Sequence, residues 1–274
     1  MSITISEALR CLGGGTAIIE ARALMRRVLG CDDAYLIAHP HRALTAPQAE
    51  AFEALAARRS AGEPVAYLTG FREFFGLDFE VAPAVLIPRP ETELLVELVL
   101  ERVPPDAGSR VLDLGTGSGC VAVAVARHRP RAQVLAVDAA LEAVHLAQKN
   151  AQRHGIANVR VFRSDWFAAL PHERFDVITA NPPYVAAGDP HLDAGDLRFE
   201  PRQALVAGPD GTECIAAITA ASRAHLNPEG WLFFEHGPDQ GSAARKLIRA
   251  AGFTREINTW RDLAGLERVS GGQS

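Results

Sequence analysis

Four consecutive residues, Asn181-Pro182-Pro183-Tyr184, bring together a side-chain amide, a rigid backbone carbonyl and an aromatic ring. These groups suit a planar NH2 substrate. The amide oxygen and the Pro182 carbonyl accept its two N–H bonds while a methyl group is delivered to the nitrogen. Adenine and glutamine both carry such a group. The run Phe175-Asp176-Val177-Ile178-Thr179-Ala180 reads as a short buried strand, and two prolines in succession cannot continue a ladder. The chain therefore turns outward at Asn181, which points into a cleft.

A second cluster is Gly115-Thr116-Gly117-Ser118-Gly119, which follows Val111-Leu112-Asp113-Leu114 and precedes a helical stretch. Glycine lets the backbone pass close to a ligand at the positive N-terminus of a helix. A dinucleotide fingerprint needs GxGxxG, whereas position 120 is Cys and the spacing is GxGxG, which favours S-adenosylmethionine over NAD. Strand Val134-Leu135-Ala136-Val137 ends at Asp138, 19 residues beyond Gly119, where a carboxylate accepts from both ribose hydroxyls. A third strand is followed by Ser164-Asp165-Trp166, with Asp165 placed for an adenine amino group and Trp166 for the ring face. Singly, each has a plainer reading as a turn or a helix cap. Their order at three successive strand ends makes them a cofactor site.

These residues need a scaffold of alternating strands and helices. Strands are expected at 110–114, 133–137, 159–162, 175–180 and 231–235, and helices near 91–103, 119–129, 140–154, 212–226 and 239–251. The alternation predicts an α/β fold with ligands at the carboxyl ends of a mostly parallel, Rossmann-like sheet. Two close strands at 254–259 and 266–270 predict an antiparallel edge. Upstream, the pattern is helical: one helix runs from Thr16 to a C-cap at Gly30, and another starts at Thr45 with Pro47 in its first turn and ends at Gly62. Between 64 and 90, aromatic and β-branched residues broken by Gly and Pro predict a hairpin from 72–75 and 78–81. The division expected is a helical substrate-recognition domain at 1–70, a hairpin linker at 71–90 and a catalytic domain at 91–274. Residues 185–211 lack periodicity and read as a substrate-covering loop.

Composition narrows the class. The chain has 274 residues, 48% of them hydrophobic, enough for one large domain and a smaller one. No run reaches the roughly 18 apolar residues of a membrane span, and the N-terminus lacks the pattern of a signal peptide, so a cytoplasmic protein without a membrane partner is expected. Cys11, Cys31, Cys120 and Cys214 form no CxxC or Cys/His cluster; they read as buried thiols, with no metal site. A net charge of −5 disfavours direct binding to nucleic acid.

The chain closely resembles the HemK family of protein-glutamine N5-methyltransferases, which modify peptide chain release factors. The resemblance spans essentially the whole sequence. It is carried by the segments 62–70 (Gly-Glu-Pro-Val-Ala-Tyr-Leu-Thr-Gly) and 86–93 (Leu-Ile-Pro-Arg-Pro-Glu-Thr-Glu), the glycine turn, 181–184, Arg198-Phe199-Glu200-Pro201 and Glu235-His236-Gly237. Asn-Pro-Pro-Tyr alone is shared with DNA adenine methyltransferases; the 87–93 segment joined to a helical N-terminal domain points to this family. The resemblance implies a class I S-adenosylmethionine-dependent methyltransferase fold. Cofactor contacts fall on 115–119, Asp138, Trp166 and Asn181, and the target glutamine lies against Asn181, Pro182, Pro183 and Tyr184, whose ring packs on the flat amide. The implied partner is a release factor, methylated on the glutamine of its Gly-Gly-Gln tripeptide. A ribosomal-protein glutamine methyltransferase and a DNA or RNA amino-methyltransferase are the alternatives.

Around this centre, Phe71, Phe74 and Phe75 are candidates to wall the glutamine pocket, with core packing as the plainer reading. Arg89 and Glu91 would order the approach to the cleft or form an ion pair. His236 reads as structural. The C-terminal Gly271-Gly272-Gln273 matches the tripeptide that the family methylates; a flexible tail is the expectation, and self-methylation the alternative.

Overall fold

A Thr followed by Ala and Pro is a strong helix start, and Thr45 fulfils it. Its hydroxyl accepts from the Gln48 N–H, and the Gln48 side chain accepts from the Thr45 N–H. The computed structural model describes residues 3–10 and 16–274, so Cys11 lies outside the described residues. The chain divides into two bodies, residues 1–71 with 194–199, and 72–193 with 200–274.

The first body holds helices α1 (Ile5–Arg10), α2 (Thr16–Leu29), α3 (Asp33–Ala38), α4 (Ala46–Ser60) and α5 (Val65–Thr69). Ile5, Leu24, Met25, Leu36, Phe52 and Leu68 bury their side chains together. Arg59 on α4 donates through two nitrogens to Glu20 on α2, at 2.8 Å each, and pairs with Asp196 of the returning segment. Arg198 of that segment donates to the Ala61 carbonyl.

The second body begins with strands β1 (Phe71–Phe74, entered from the first body) and β2 (Leu77–Glu80). They are joined by Phe75 and Gly76, at φ 51° and 74°. Two left-handed residues make the tight turn that matches strand twist. The elements that follow are α6 (Glu93–Arg102), β3 (Arg110–Leu114), α7 (Cys120–His128), β4 (Gln133–Asp138), α8 (Leu141–Arg153), β5 (Val159–Arg163), β6 (Phe175–Ala180), β7 (Val185–Ala186), α9 (Arg202–Leu205), β8 (Val206–Gly208), α10 (Glu213–Ser222), β9 (Leu226–Glu235), α11 (Gly241–Ala250), β10 (Arg255–Arg261) and β11 (Glu267–Gln273).

One seven-stranded sheet orders them β10-β11-β9-β6-β3-β4-β5. The strands from β9 to β5 run parallel, while β11 is antiparallel to both β9 and β10. This is the Rossmann-like sheet with an antiparallel edge. Both faces are covered: Val111, Val134, Val177 and Phe233 pack with α6 and α7, and Leu112, Leu135, Ile178 and Phe234 with α10 and α11. Burial on both faces explains why these strands read as apolar runs without polar alternation. Strand order reverses between β3 and β6, so the loops after them diverge to opposite sides and leave a crevice. Leu114 pairs with Ala180, so Gly115 and Asn181 leave neighbouring strands side by side.

Three expectations are corrected. The C-terminal Gly-Gly-Gln is no tail: Gly271 and Gly272 are buried in β11, between β9 and β10. A Cβ on Gly271 would lie 2.4 Å from the Leu232 carbonyl oxygen, so only glycine fits there. Gln273 donates its side-chain NH2 to the Glu229 carbonyl at 3.0 Å, which occupies the group that self-methylation would need. Residues 185–211 are more structured than a covering loop, with β7 paired to β8, short 3-10 turns, and 194–199 belonging to the first body. Of the described cysteines, only Cys120 is buried, while Cys31 and Cys214 are half-buried. Burial pushes the Cys120 thiol up to about 12, leaving it protonated and unreactive. Among the described residues no helix is long and apolar enough to cross a membrane.

Candidate active site

A cavity of about 300 Å³ opens in the second body at the carboxyl ends of β3, β4, β5 and β6. That is the lower end of the size range of small-molecule sites. The turn after β3 lines it through Gly115, Thr116, Gly117 and Ser118. Gly115 and Gly117 have φ of 68° and 56°, and a Cβ on Gly117 would meet nothing within 4 Å, so this backbone faces open space. Gly119 differs. It does not line the cavity, and a Cβ there would stand 2.9 Å from that of Ala147 on α8. Its lack of a side chain lets α7 and α8 approach each other.

Asp138, at the end of β4, accepts the Gly117 N–H on one oxygen and the Ala140 N–H on the other, each at 2.9 Å. Its carboxylate is fixed at the cavity wall with lone pairs to spare for a diol. Burial raises its pKa despite these bonds. Asp165 and Trp166 line the cavity after β5, and the Trp166 ring lies against Gly115, within 3.5 Å of where a Cβ would be. Trp166 takes φ 44°, a left-handed conformation uncommon for a bulky residue.

At the end of β6, Asn181 and Pro183 line the cavity, whereas Pro182 and Tyr184 do not. The Asn181 Nδ2 donates to Thr92 Oγ1 at 3.1 Å. Its Oδ1 is buried and has no hydrogen-bond partner. Thr92 in turn donates to Glu235 Oε2 at 2.6 Å, and the Tyr184 hydroxyl donates to Glu235 Oε1 at 3.1 Å. Sequence reasoning lays the Tyr184 ring on a substrate amide. The structure instead packs the ring with the core of the α10 and α11 face and gives its hydroxyl to Glu235.

Other expected pocket residues are also relocated. Phe74 is core, edge-on to Phe79 at 6.2 Å, and Phe75 meets the His128 ring at 5.2 Å. Phe71, at the first position of β1, belongs to the first body, is 36% exposed and is not part of the cavity lining. Arg89 does line the cavity, but its ion-pair partner is the buried Glu200, not Glu91. The other Glu200 oxygen accepts the Ile87 N–H at 3.1 Å, so one carboxylate ties down the 84–89 segment, which also lines the cavity. His236 is structural, bonded to Ser270 Oγ and the Gly237 carbonyl at 2.8 Å each.

Asp113 goes unremarked as a site residue in the sequence, although a carboxylate inside an apolar strand is a signal. It lines the cavity, accepts from Thr116 Oγ1 at 2.6 Å, and burial, with Asp138 nearby, raises its pKa to about 7. Thr92 and Glu235 both stand in segments that carry the family resemblance, but nothing along the sequence pairs them, since they are 143 positions apart.

Residues 91–204 match the family model of the methyltransferase small domain, and 3–70 that of the PrmC N-terminal domain. A solved methyltransferase from Pyrococcus furiosus superposes with a TM-score of 0.56 at 19% identity, over 79% of this chain and 96% of that one. Fold and site together define a methyltransferase. Release factor glutamine methyltransferases from Bordetella pertussis and Xylella fastidiosa are 51% and 48% identical, covering 94% and 93% of this chain and 95% and 92% of theirs. The chain belongs to the release factor glutamine methyltransferase family.

Proposed function

We propose that the protein transfers a methyl group from S-adenosylmethionine to the side-chain amide nitrogen, N5, of the glutamine in the Gly-Gly-Gln tripeptide of peptide chain release factors, in the cytoplasm. The observation that carries this is Asn181 Oδ1, a buried amide oxygen without a partner at the wall of the cavity. An orphaned buried acceptor is costly, on the order of 1–3 kcal/mol, unless a donor arrives with the substrate. A glutamine NH2 is such a donor.

The cavity fits the cofactor. Gly115 to Ser118 give close backbone approach, Asp138 offers lone pairs to ribose hydroxyls, and Asp138 and Asp165 place carboxyl groups at the wall of a site for a cation. When bound, S-adenosylmethionine supplies an electrophilic methyl on a positively charged sulfur. An amide nitrogen is a poor nucleophile because its lone pair is delocalised. Asn181 Oδ1, at the cavity wall, and the carbonyl of Pro182, just outside the lining, accept its two N–H bonds, orient the nitrogen and favour its pyramidalisation; positioning and electrostatics let the nitrogen attack without prior deprotonation, and one N–H proton is lost to solvent once the N–C bond has formed. Pro183 and Arg89 border the same opening. The N-terminal helical domain, with its separate core, is assigned to gripping the folded substrate.

The test is methyl transfer from labelled S-adenosylmethionine to four acceptors: a purified release factor, its Gln-to-Ala tripeptide variant, ribosomal protein and duplex DNA. Label confined to the intact release factor is expected. Label that survives loss of that glutamine, or that enters only ribosomal protein or DNA, refutes the assignment.

A further inference from the structure

We propose that Glu235, acting through Thr92, fixes which end of the Asn181 side chain faces the substrate. The two ends of an asparagine amide are nearly the same size, and a half-turn about its last bond exchanges an acceptor for a donor. With the NH2 end toward the cavity, Asn181 would meet the N–H bonds of a substrate amide donor to donor. Correct polarity is therefore a requirement of the reaction.

Thr92 alone does not impose it, because a hydroxyl both donates and accepts. Its neighbour decides. Glu235 Oε2 lies 2.6 Å from Thr92 Oγ1, and an ionised carboxylate has no proton to give. The single Thr92 proton is therefore committed to Glu235, which leaves only lone pairs toward Asn181 at 3.1 Å. Only the NH2 end can meet a lone pair, so Oδ1 is turned outward, where it is the unpartnered atom. Tyr184 holds the second Glu235 oxygen at 3.1 Å, so the carboxylate cannot swing away. Both Thr92 and Glu235 are buried, 2% and 1% exposed, which keeps water from substituting for either. Burial, the largest influence, raises the pKa of Glu235, and Glu91 adds to it; the two hydroxyl donors and the charge of Arg268 act in the other direction, so the ionised form that directs the relay is the one present above that raised pKa.

Glu235 and Thr92 are thus positioning residues. Glu235 lies outside the cavity lining and Thr92 borders it next to Asn181, and the two act by making the Asn181 amide a one-way acceptor. The proposal rests on the glutamine assignment in one respect, that the methyl acceptor is an N–H donor.

The test uses the full chain and three variants, Thr92→Val, Thr92→Ser and Glu235→Gln. Methylation of a release factor is followed with labelled S-adenosylmethionine, and cofactor Kd by calorimetry. Thr92→Val and Glu235→Gln should lower kcat roughly 10–100-fold, the range for outer partners of site residues, with KM and cofactor Kd unchanged. Thr92→Ser keeps the hydroxyl and should restore kcat. A second readout is independent of activity: in protein labelled with 15N-asparagine, the Asn181 NH2 protons, assigned by their loss in Asn181→Ala, should show a nuclear Overhauser contact to the Thr92 methyl. Wild-type kcat in Thr92→Val or in Glu235→Gln, a Thr92→Ser variant as slow as Thr92→Val, or absence of that contact overturns the proposal. A wild type inert on release factors overturns the substrate assignment instead, and the NH2-to-methyl contact then decides the relay by itself.

Discussion

Asn181 has one side-chain end tied to Thr92 and the other left open, which is how a residue is held ready for a partner that is not yet present. Replacing it with Ala removes an acceptor used most strongly in the transition state. Asn181→Ala should therefore lower kcat by about 100- to 1000-fold with a much smaller change in calorimetric cofactor Kd; equal losses in both would make it chiefly a cofactor ligand. Asp113 gives a prediction about pH. Its carboxyl titrates near 3.9 in an unfolded chain and at about 7 in the fold, because burial disfavours the charge. A raised folded-state pKa contributes stability that is fully present below the unfolded value and is lost as pH rises through the folded one. Between pH of about 4 and 7 the cofactor-free wild type should lose thermal stability relative to Asp113→Asn, measured as the difference between their melting temperatures. A parallel slope in both proteins would refute this. The raised pKa of Glu235 adds an acid limit to kcat. Once protonated, Glu235 can donate to Thr92 and free the Thr92 proton to turn toward Asn181, so Glu235→Gln should lack the acid limb that a wild-type pH–kcat profile shows.

At the scale of elements, two glycines of one turn do different work. Gly117 faces the cavity with open space around it, whereas Gly119 lies where α7 meets Ala147 of α8. Both have positive φ, so alanine at either carries a strain of about 1–2 kcal/mol. Gly119→Ala brings its Cβ to 2.9 Å from that of Ala147 and should be the less stable of the two in denaturant unfolding, while Gly117→Ala should show the larger loss of cofactor affinity. Strand β11 is the other case. Local composition reads Ser-Gly-Gly-Gln as disorder, yet Gly271 sits where a Cβ would overlap both the Leu232 carbonyl and the Phe233 ring. Gly271→Ala should cost about 1–3 kcal/mol or more on unfolding, as overpacking does; a neutral effect would mean that the strand is dispensable.

For the molecule as a whole, the two bodies have separate cores, and the chain returns to the first one at 194–199 after building half of the second. Arg59 is the tie within the first body, bonding Glu20 and Asp196 at once. If that body recognises the protein substrate, Arg59→Ala should raise KM for the release factor while leaving calorimetric cofactor Kd unchanged. A change in both would argue against separate tasks. The sheet and its helices were legible because each needs only a local pattern, an apolar run for a strand covered on both faces and a glycine turn before a helix. That Gly115, Gly117, Asp138, Asp165, Trp166 and Asn181 stand at strand exits around one cavity was legible for the same reason, whereas the sequence did not separate them from Gly119, which packs α7 on α8. The three phenylalanines were not legible, since an aromatic residue in a hairpin looks the same whether it faces a core or a pocket. Arg89 shows the limit most directly: its near neighbour Glu91 is the obvious partner in sequence, and Glu200, 111 residues away, is the partner in space. By itself the sequence determined which groups the protein presents and at which strand ends, because strand exits and glycine turns are encoded by neighbours along the chain. Only the tertiary structure decided which way those groups point, because the direction of a buried hydrogen bond is set by whatever the fold brings alongside it.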